Sequence, residues 1–360
     1  MSEILRHTIS DDSAWTADDL VRDRSWEVRL GPAHVAEFAA GLAAVQAQGL
    51  SLQQITRANF PCGPALRDLA AHVVSATRSG RGFTILRGLP VDGHSDDEVR
   101  LMYWGFCQHL GLCVSQDVQC ALVADVKEKG IAAGPLTRAY GSKRVTSLHV
   151  DGTDVVGLLA VRQAPSSPLT TLASSITIHN EFLAQHPEWL PRLYAGFPWD
   201  RKGEQAAWEA PLMPQCLPVF SYAGGQLSAH YNRSWITSAS VRRNLPFSDE
   251  EVAMLDFFDA MAKKHAYATA MAPGDVYFAN NYTVLHGREG YEEDADTQAD
   301  LKRLFLRIWF FVPEFRAFAD EAVERYGITS FGNMGWTAQE LAQGRNLADG
   351  HRRDFLHAVV

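Results

Sequence analysis

The spacing of apolar positions changes along the chain, and each change predicts an element. An alanine-rich stretch from Val35 to Ala47 predicts a helix. From Pro64, which suits a first turn, Leu66, Leu69, Val73 and Thr77 recur at helical spacing until Gly80. Gly82 and Gly88 bound a short aliphatic and aromatic strand. Ser95 with Glu98 three residues later forms a capping box and opens a helix through Val99, Met102, Tyr103 and Phe106 to Gly111. Residues 112–147 read as irregular strands and loops. Val155 to Val161 is nearly continuously apolar, a strand buried on both faces. Leu169 to Ile178 reads as a Thr/Ser/Ile-rich strand, after which Asn180 caps a short helix ending near Pro187. Gly224-Gly225 predicts a hairpin between residues 219–222 and 227–231. A second capping box, Ser248 with Glu251, starts a helix whose core face is Val252, Leu255, Phe258 and Met261. Pro273-Gly274-Asp275 turns into a strand over Val276 to Ala279, and Leu301 to Val312 is the last clear strand. Between them, Glu292 to Asp300 is acidic and aperiodic, a solvated loop.

Short strands flanked by helices predict an α+β fold with a curled antiparallel sheet and helices outside it. The chain divides into an arm over residues 1–62, a domain over 63–312 with a helical insertion around 180–265, and a helical extension over 313–360. A hydrophobic content of 46% is ample for a large core. A net charge of -9, with scattered Lys and Arg, excludes nucleic acid as the main partner. No run of about 18 apolar residues is present to span a membrane, and the first residues lack a secretory core, so a cytoplasmic protein acting on a small molecule is expected. A homo-oligomer is compatible with this composition. Five cysteines without CxxC spacing read as reduced, packed thiols.

Candidate chemistry begins at Leu148-His149-Val150-Asp151. If this segment is extended, His149 and Asp151 share a face and offer an imidazole and a carboxylate to one point. A second histidine would complete the 2-His-1-carboxylate triad of non-haem Fe(II) sites. Among thirteen histidines roughly one HxD arises by chance, so the pair alone reads more readily as a hydrogen-bonded couple than as metal ligands. His286, at the end of a strand and beside Gly287, is the candidate partner. In the last strand, period two puts Leu304, Leu306, Ile308 and Phe310 on one face and Arg303, Phe305, Arg307 and Trp309 on the other. Two guanidinium groups on a face that also carries Phe305 and Trp309 point to a planar anion such as a dicarboxylate.

Taken in order, His149-x-Asp151, the Gly274-Asp275 strand, His286-Gly287-Arg288 and Arg303-x-x-x-Arg307 resemble the Fe(II)/2-oxoglutarate oxygenases of the taurine dioxygenase (TauD/TfdA) family, over about Arg81 to Val312. The resemblance implies a double-stranded β-helix (jelly-roll) core for the central domain. It further implies His149, Asp151 and His286 as iron ligands, Arg303 and Arg307 as carboxylate contacts of 2-oxoglutarate, and Thr170 as a further cosubstrate contact. Ser167-Pro168-Leu169 stands where the family usually has a Gly-Gly pair, which leaves the choice between Thr170 and Thr171 open. Fe(II), 2-oxoglutarate and dioxygen would oxidise a C–H bond, with succinate and carbon dioxide released. Related halogenases replace the carboxylate ligand with a small residue, so Asp151 implies oxygenation; desaturation or cyclisation uses the same site. Arg233, Asn281, Tyr140 and Gln116 are candidate contacts for a small polar, amino-acid-like or carboxylate-bearing substrate. A zinc hydrolase with the same triad would have no use for the paired arginines, and a non-catalytic jelly-roll binding protein would keep the triad only for stability.

Overall fold

The computed structural model describes residues 3–343 except 131–133, 135, 137–140, 206–208, 295, 299–300, 321 and 323–333. In chain order the strands are β1 Glu27–Arg29, β2 Phe83–Arg87, β3 Leu112–Val114, β4 Ala124–Val126, β5 Thr146–His149, β6 Val155–Arg162 and β7 Thr170–Ser174. They continue with β8 Phe220–Ala223, β9 Gln226–Ala229, β10 Tyr267–Thr269, β11 Val276–Asn280, β12 Val284–Arg288 and β13 Leu304–Phe311. The helices are α1 Ala17–Arg22, α2 Pro32–Ala47, α3 Pro64–Arg78, α4 Asp96–Cys107, α5 Ser175–Gln185, α6 Leu190–Ala195, α7 Arg233–Arg243, α8 Asp249–His265 and α9 Ala338–Ala342.

Two sheets face each other. The larger runs β1-β2-β11-β6-β13-β3, with β4 also on β13, and the smaller runs β10-β7-β12-β5. Neighbours pair antiparallel except β1, which the amino-terminal segment adds parallel to β2. Alternation along β13 sorts its side chains as the sequence pattern requires. Leu304, Leu306, Ile308 and Phe310 join one buried cluster with residues of α2, α3 and α4, while Phe305 and Trp309 join the other cluster between the sheets. Strand β6 is likewise buried on both faces, Val155 and Leu159 toward the helices and Val156 and Ala160 toward the second sheet. Helix α4 starts at the capping box, with Ser95 Oγ accepting from the Glu98 amide, and buries Val99, Met102, Tyr103, Trp104 and Phe106. Each large apolar side chain buried in this way contributes about 1.5–3 kcal/mol. The α+β arrangement therefore holds, with α2, α3 and α4 on the outer face of the larger sheet and α8, backed by α5, against the smaller one.

The reading of Leu169 to Ile178 as one strand is corrected. The strand stops at Ser174, whose hydroxyl accepts from the Thr177 amide at 3.1 Å and caps α5. Asn180 is not a cap: inside α5, it pairs with both the amide and the carbonyl of Ile9 and ties the amino-terminal segment down. Between β7 and β10 lie α5 to α8 and the hairpin β8–β9, whose Gly224 and Gly225 both take positive φ, +56° and +77°. Cys107 and Cys113 are buried, and all five thiols are free. Among the described residues no helix is long and apolar enough to cross a membrane.

Candidate active site

Three ligand-type side chains meet where β5 runs beside β12. His286 is the register partner of His149, and their rings lie 4.5 Å apart between centroids. Gly287 makes this close pairing feasible, because a Cβ there would stand 2.7 Å from the Thr146 carbonyl oxygen. Asp151 arrives differently from the simple alternation expected, since β5 ends at His149 and Asp151 lies in the loop beyond it. Two bonds fix that loop: the Val150 amide donates to Tyr231 O at 3.0 Å, and the Asp151 amide donates to Asn281 Oδ1 at 3.0 Å.

Ligand atoms of His149, Asp151 and His286 all lie within 4.8 Å of one another. The two Nε2 atoms stand 3.7 and 3.6 Å from Asp151 Oδ1 and Oδ2, too long for direct hydrogen bonds and suited to sharing an ion between them. His149 Nδ1 is 2.8 Å from the Ser147 carbonyl oxygen. A carbonyl only accepts, so Nδ1 carries the proton and Nε2 presents its lone pair inward. Burial, reinforced by His286, pulls the His149 pKa down to about 4, keeping the ring neutral. Burial pushes Asp151 upward, but Arg307 and the two histidines outweigh it and hold the carboxyl well below its ordinary value. Neutral imidazole, a preset tautomer and an ionised carboxylate are what a divalent metal requires, so these residues fit one.

The arginines of the last strand take different partners. Arg307 donates from Nε to Gln116 Oε1 at 2.8 Å and from Nη1 to Asp151 Oδ2 at 3.3 Å. Gln116 also donates to the Arg307 and Leu122 carbonyl oxygens, so it clamps this guanidinium. The guanidinium of Arg303, a residue 2% exposed, bonds only neutral oxygens, Gln163 Oε1 at 3.1 Å and Val126 O at 3.3 Å, and lies 3.9 Å over the Phe305 ring, while the Arg303 main-chain amide donates to Glu293 Oε1 at 2.7 Å. Among the described residues no carboxylate pairs with that guanidinium, and burial together with nearby Arg288 lowers its pKa to about 10. A buried cation of this kind fits the carboxylate of a bound dianion.

A cavity of about 1050 Å³ opens over the triad, with His149, Asp151, Arg307 and Trp309 in its lining. Arg233 lines it too, but its guanidinium is engaged by Asp256 at 2.8 Å and Asp259 at 3.2 Å. Asn281 and Gln116 are fully buried outside the lining, supporting Asp151 and Arg307 respectively. Thr170 is buried in β7 opposite Arg288, also outside the lining. Tyr140 falls outside the described residues. Sequence reasoning passed over two lining residues. Tyr291 lines the cavity with its ring 4.7 Å from the Arg288 guanidinium and 5.2 Å from that of Arg303, so it packs against both. Lys202, 7% exposed, places Nζ 2.6 Å from Ser234 Oγ on the cavity wall. A lysine amid turn residues gives no periodic signal by which to find it.

Comparison with known proteins agrees with this geometry. The chain is 28% identical over 334 residues to FR-33289 synthase of Streptomyces rubellomurinus, covering 91% of this chain and 98% of that protein. It is 27% identical over 304 residues to the taurine hydroxylase-like protein SAT17 of Stachybotrys chartarum, covering 79% and 75%. Among solved structures, an asparagine oxygenase in complex with Fe(II), 2S,3S-3-hydroxyasparagine and succinate superposes with a TM-score of 0.62 at 15% identity, covering 79% of this chain and 93% of that one. The non-haem iron oxygenase OrfP with Fe and α-ketoglutaric acid gives 0.57 at 17%, covering 79% and 94%. These two likenesses establish the shared jelly-roll fold. The model of the taurine catabolism dioxygenase TauD, TfdA family matches residues 49–309, and the chain belongs to that family of non-haem iron oxygenases that use Fe(II), 2-oxoglutarate and dioxygen.

Proposed function

We propose that the protein hydroxylates an unactivated C–H bond of a small, amino-acid-like or carboxylate-bearing substrate. In this reading His149, Asp151 and His286 hold Fe(II), while Arg303, Arg307 and Thr170 receive 2-oxoglutarate. The metal with 2-oxoglutarate and dioxygen supplies the oxidant, at the expense of one 2-oxoglutarate converted to succinate and carbon dioxide. The chain's own part is positional. Asp151 and the two imidazoles would hold the metal, and Asp151 and His149 line the cavity through which a substrate would approach it.

The observation that carries the substrate class is Lys202. Its buried ammonium, the Ser234 hydroxyl beside it and the first-turn amides of α7 share the wall facing the triad, an arrangement suited to an oxyanion. An amino-acid-like substrate is further supported by fold neighbours crystallised with 3-hydroxyasparagine and with (3S)-hydroxy-L-Arg.

Protein reconstituted anaerobically with Fe(II) or Zn(II) and given 2-oxoglutarate, oxygen-18 gas and a panel of amino acids and small acids tests the reading. Succinate formed with iron alone and a product carrying one oxygen-18 atom are expected. A product lacking two hydrogens and carrying no label would replace hydroxylation by desaturation, and no substrate-stimulated succinate across the panel would overturn the substrate class.

A further inference from the structure

We infer that Trp309 is a positioning residue that holds the Asp151 carboxylate as a one-oxygen metal ligand. The inference rests on the reading of His149, Asp151 and His286 as the metal site. Trp309 lies two residues beyond Arg307 on β13, so alternation sends both side chains toward the triad. Its indole Nε1 donates to Asp151 Oδ2 at 2.9 Å, a shorter contact than the 3.3 Å from Arg307 Nη1 to the same oxygen. The Arg307 guanidinium lies 4.8 Å from the Trp309 ring centroid, so the two donors also support each other. Trp309 is 3% exposed and Asp151 7%, so little of this bond is open to solvent.

These contacts treat the two carboxylate oxygens unequally. Each oxygen faces one imidazole, Oδ1 the Nε2 of His149 at 3.7 Å and Oδ2 that of His286 at 3.6 Å, but Oδ2 alone is held by the indole and the guanidinium, while Oδ1 accepts no hydrogen bond among the described residues. The bond to Asn281 fixes the Asp151 main chain, so rotation of the carboxyl group is the freedom that remains. A bond from Trp309 removes it. With Oδ2 occupied, Oδ1 is the oxygen left for the metal, and chelation through both oxygens, which would use up an open coordination position, is disfavoured. Indole suits this task because it is a neutral donor with no acceptor and no accessible titration. It can neither bind the metal itself nor add a charge against it.

The test is the affinity of metal-free protein for Co(II), read by calorimetric titration together with the visible spectrum of the bound ion. Trp309→Phe keeps a ring beside Arg307 and removes the N–H. Replacement of Trp309 by β-(3-benzothienyl)alanine keeps the bicyclic shape with sulfur in place of the N–H, and serves if the phenylalanine variant fails to fold. Loss of a contact that orients a ligand typically lowers metal affinity about 10–100-fold. We expect at least a tenfold loss in either variant and a Co(II) spectrum changed toward higher coordination, with 2-oxoglutarate binding retained. Affinity within twofold of the parent and an unchanged spectrum would overturn the role of Trp309. Asp151→Ala separates the two ideas. If it abolishes Co(II) binding while the Trp309 variants bind normally, the inference alone fails; if it too binds normally, the metal-site reading fails.

Discussion

Replacement of Arg303 by methionine should stabilise the empty protein and at the same time weaken 2-oxoglutarate binding. The guanidinium is almost wholly buried, has no carboxylate partner among the described residues, and has its pKa lowered to about 10 by burial and by Arg288. Keeping such a group charged at neutral pH costs roughly 3 kcal/mol relative to the unfolded chain, and the cost persists at every pH below about 10. Methionine preserves most of the volume beside Phe305 and removes the charge, so stability in denaturant should rise by about 1–3 kcal/mol, less whatever the lost bonds to Gln163 and Val126 contributed. A carboxylate of 2-oxoglutarate would lose a charge-assisted contact of about 1.5–3 kcal/mol, or roughly 10–150-fold in affinity. Urea denaturation of the metal-free protein and anaerobic titration of the Fe(II) form with 2-oxoglutarate read the two effects. A variant that is less stable when empty yet binds 2-oxoglutarate with unchanged affinity would show Arg303 to be a structural cation, and would refute the reasoning.

Gln116→Leu should lower 2-oxoglutarate affinity about tenfold and cost about 1–3 kcal/mol of stability, because the buried Nε of Arg307 loses its acceptor; unchanged stability would count against the clamp. Lys202→Met should raise KM for an anionic substrate at least tenfold while leaving the apparent affinity for 2-oxoglutarate intact, and an unchanged KM would remove Lys202 from substrate binding. Acid should destabilise the metal-free protein between pH 6.5 and 4. Burial pulls His149 and His179 down to about 4, so the unfolded chain takes up their protons first and stability falls with pH, by roughly 3 kcal/mol for each across that window. Asp154, raised to about 6 by burial, and Asp259, also raised by burial, act in the opposite sense, since the folded form protonates first, but His72 and His109, lowered by burial, add to the histidine side. Denaturant titrations at pH 7, 6 and 5 check the slope, and stability that rises on acidification contradicts it.

What the sequence made legible was what repeats or is capped. The helices over Pro64–Arg78, Asp96–Cys107 and Asp249–His265 follow from apolar periodicity joined to proline or capping-box starts, and β13 follows from strict alternation. Ser174 misled because Thr, Ser and Ile suit a strand until a hydroxyl turns back to cap a helix, a choice made by one side-chain bond. The triad residues were legible as residue types in a familiar order, whereas their convergence depends on β5 pairing with β12 and on Asn281 holding the Asp151 loop. Asn281 and Gln116 look on paper like polar residues at a cavity mouth. Their actual positions, buried behind Asp151 and Arg307, arise from long-range pairing that no local pattern encodes. Arg233 was readable as an anion contact for the same reason, until α8 supplied Asp256 and Asp259.

The charges of the site also bear on which substrate it favours. With His149 neutral and Asp151 ionised, Asp151 and Arg307 cancel before any metal enters, leaving Arg303 as an excess positive charge. In the proposed arrangement a divalent metal and dianionic 2-oxoglutarate add nothing to that sum, since two positive charges meet two negative ones. In that reading the loaded floor would keep about one positive charge, and Lys202 lies on the wall of the same cavity. Within a cavity of this depth such charges are poorly screened, so a substrate with an anionic group has more to gain than one with an amine alone. The same sum makes the order of binding matter: metal without 2-oxoglutarate leaves the cavity strongly positive, and the cosubstrate dianion is the ligand that best offsets it. In the proposed reading a substrate carboxylate would meet Lys202, away from the metal, which would turn its C–H bonds and not its charge toward the triad.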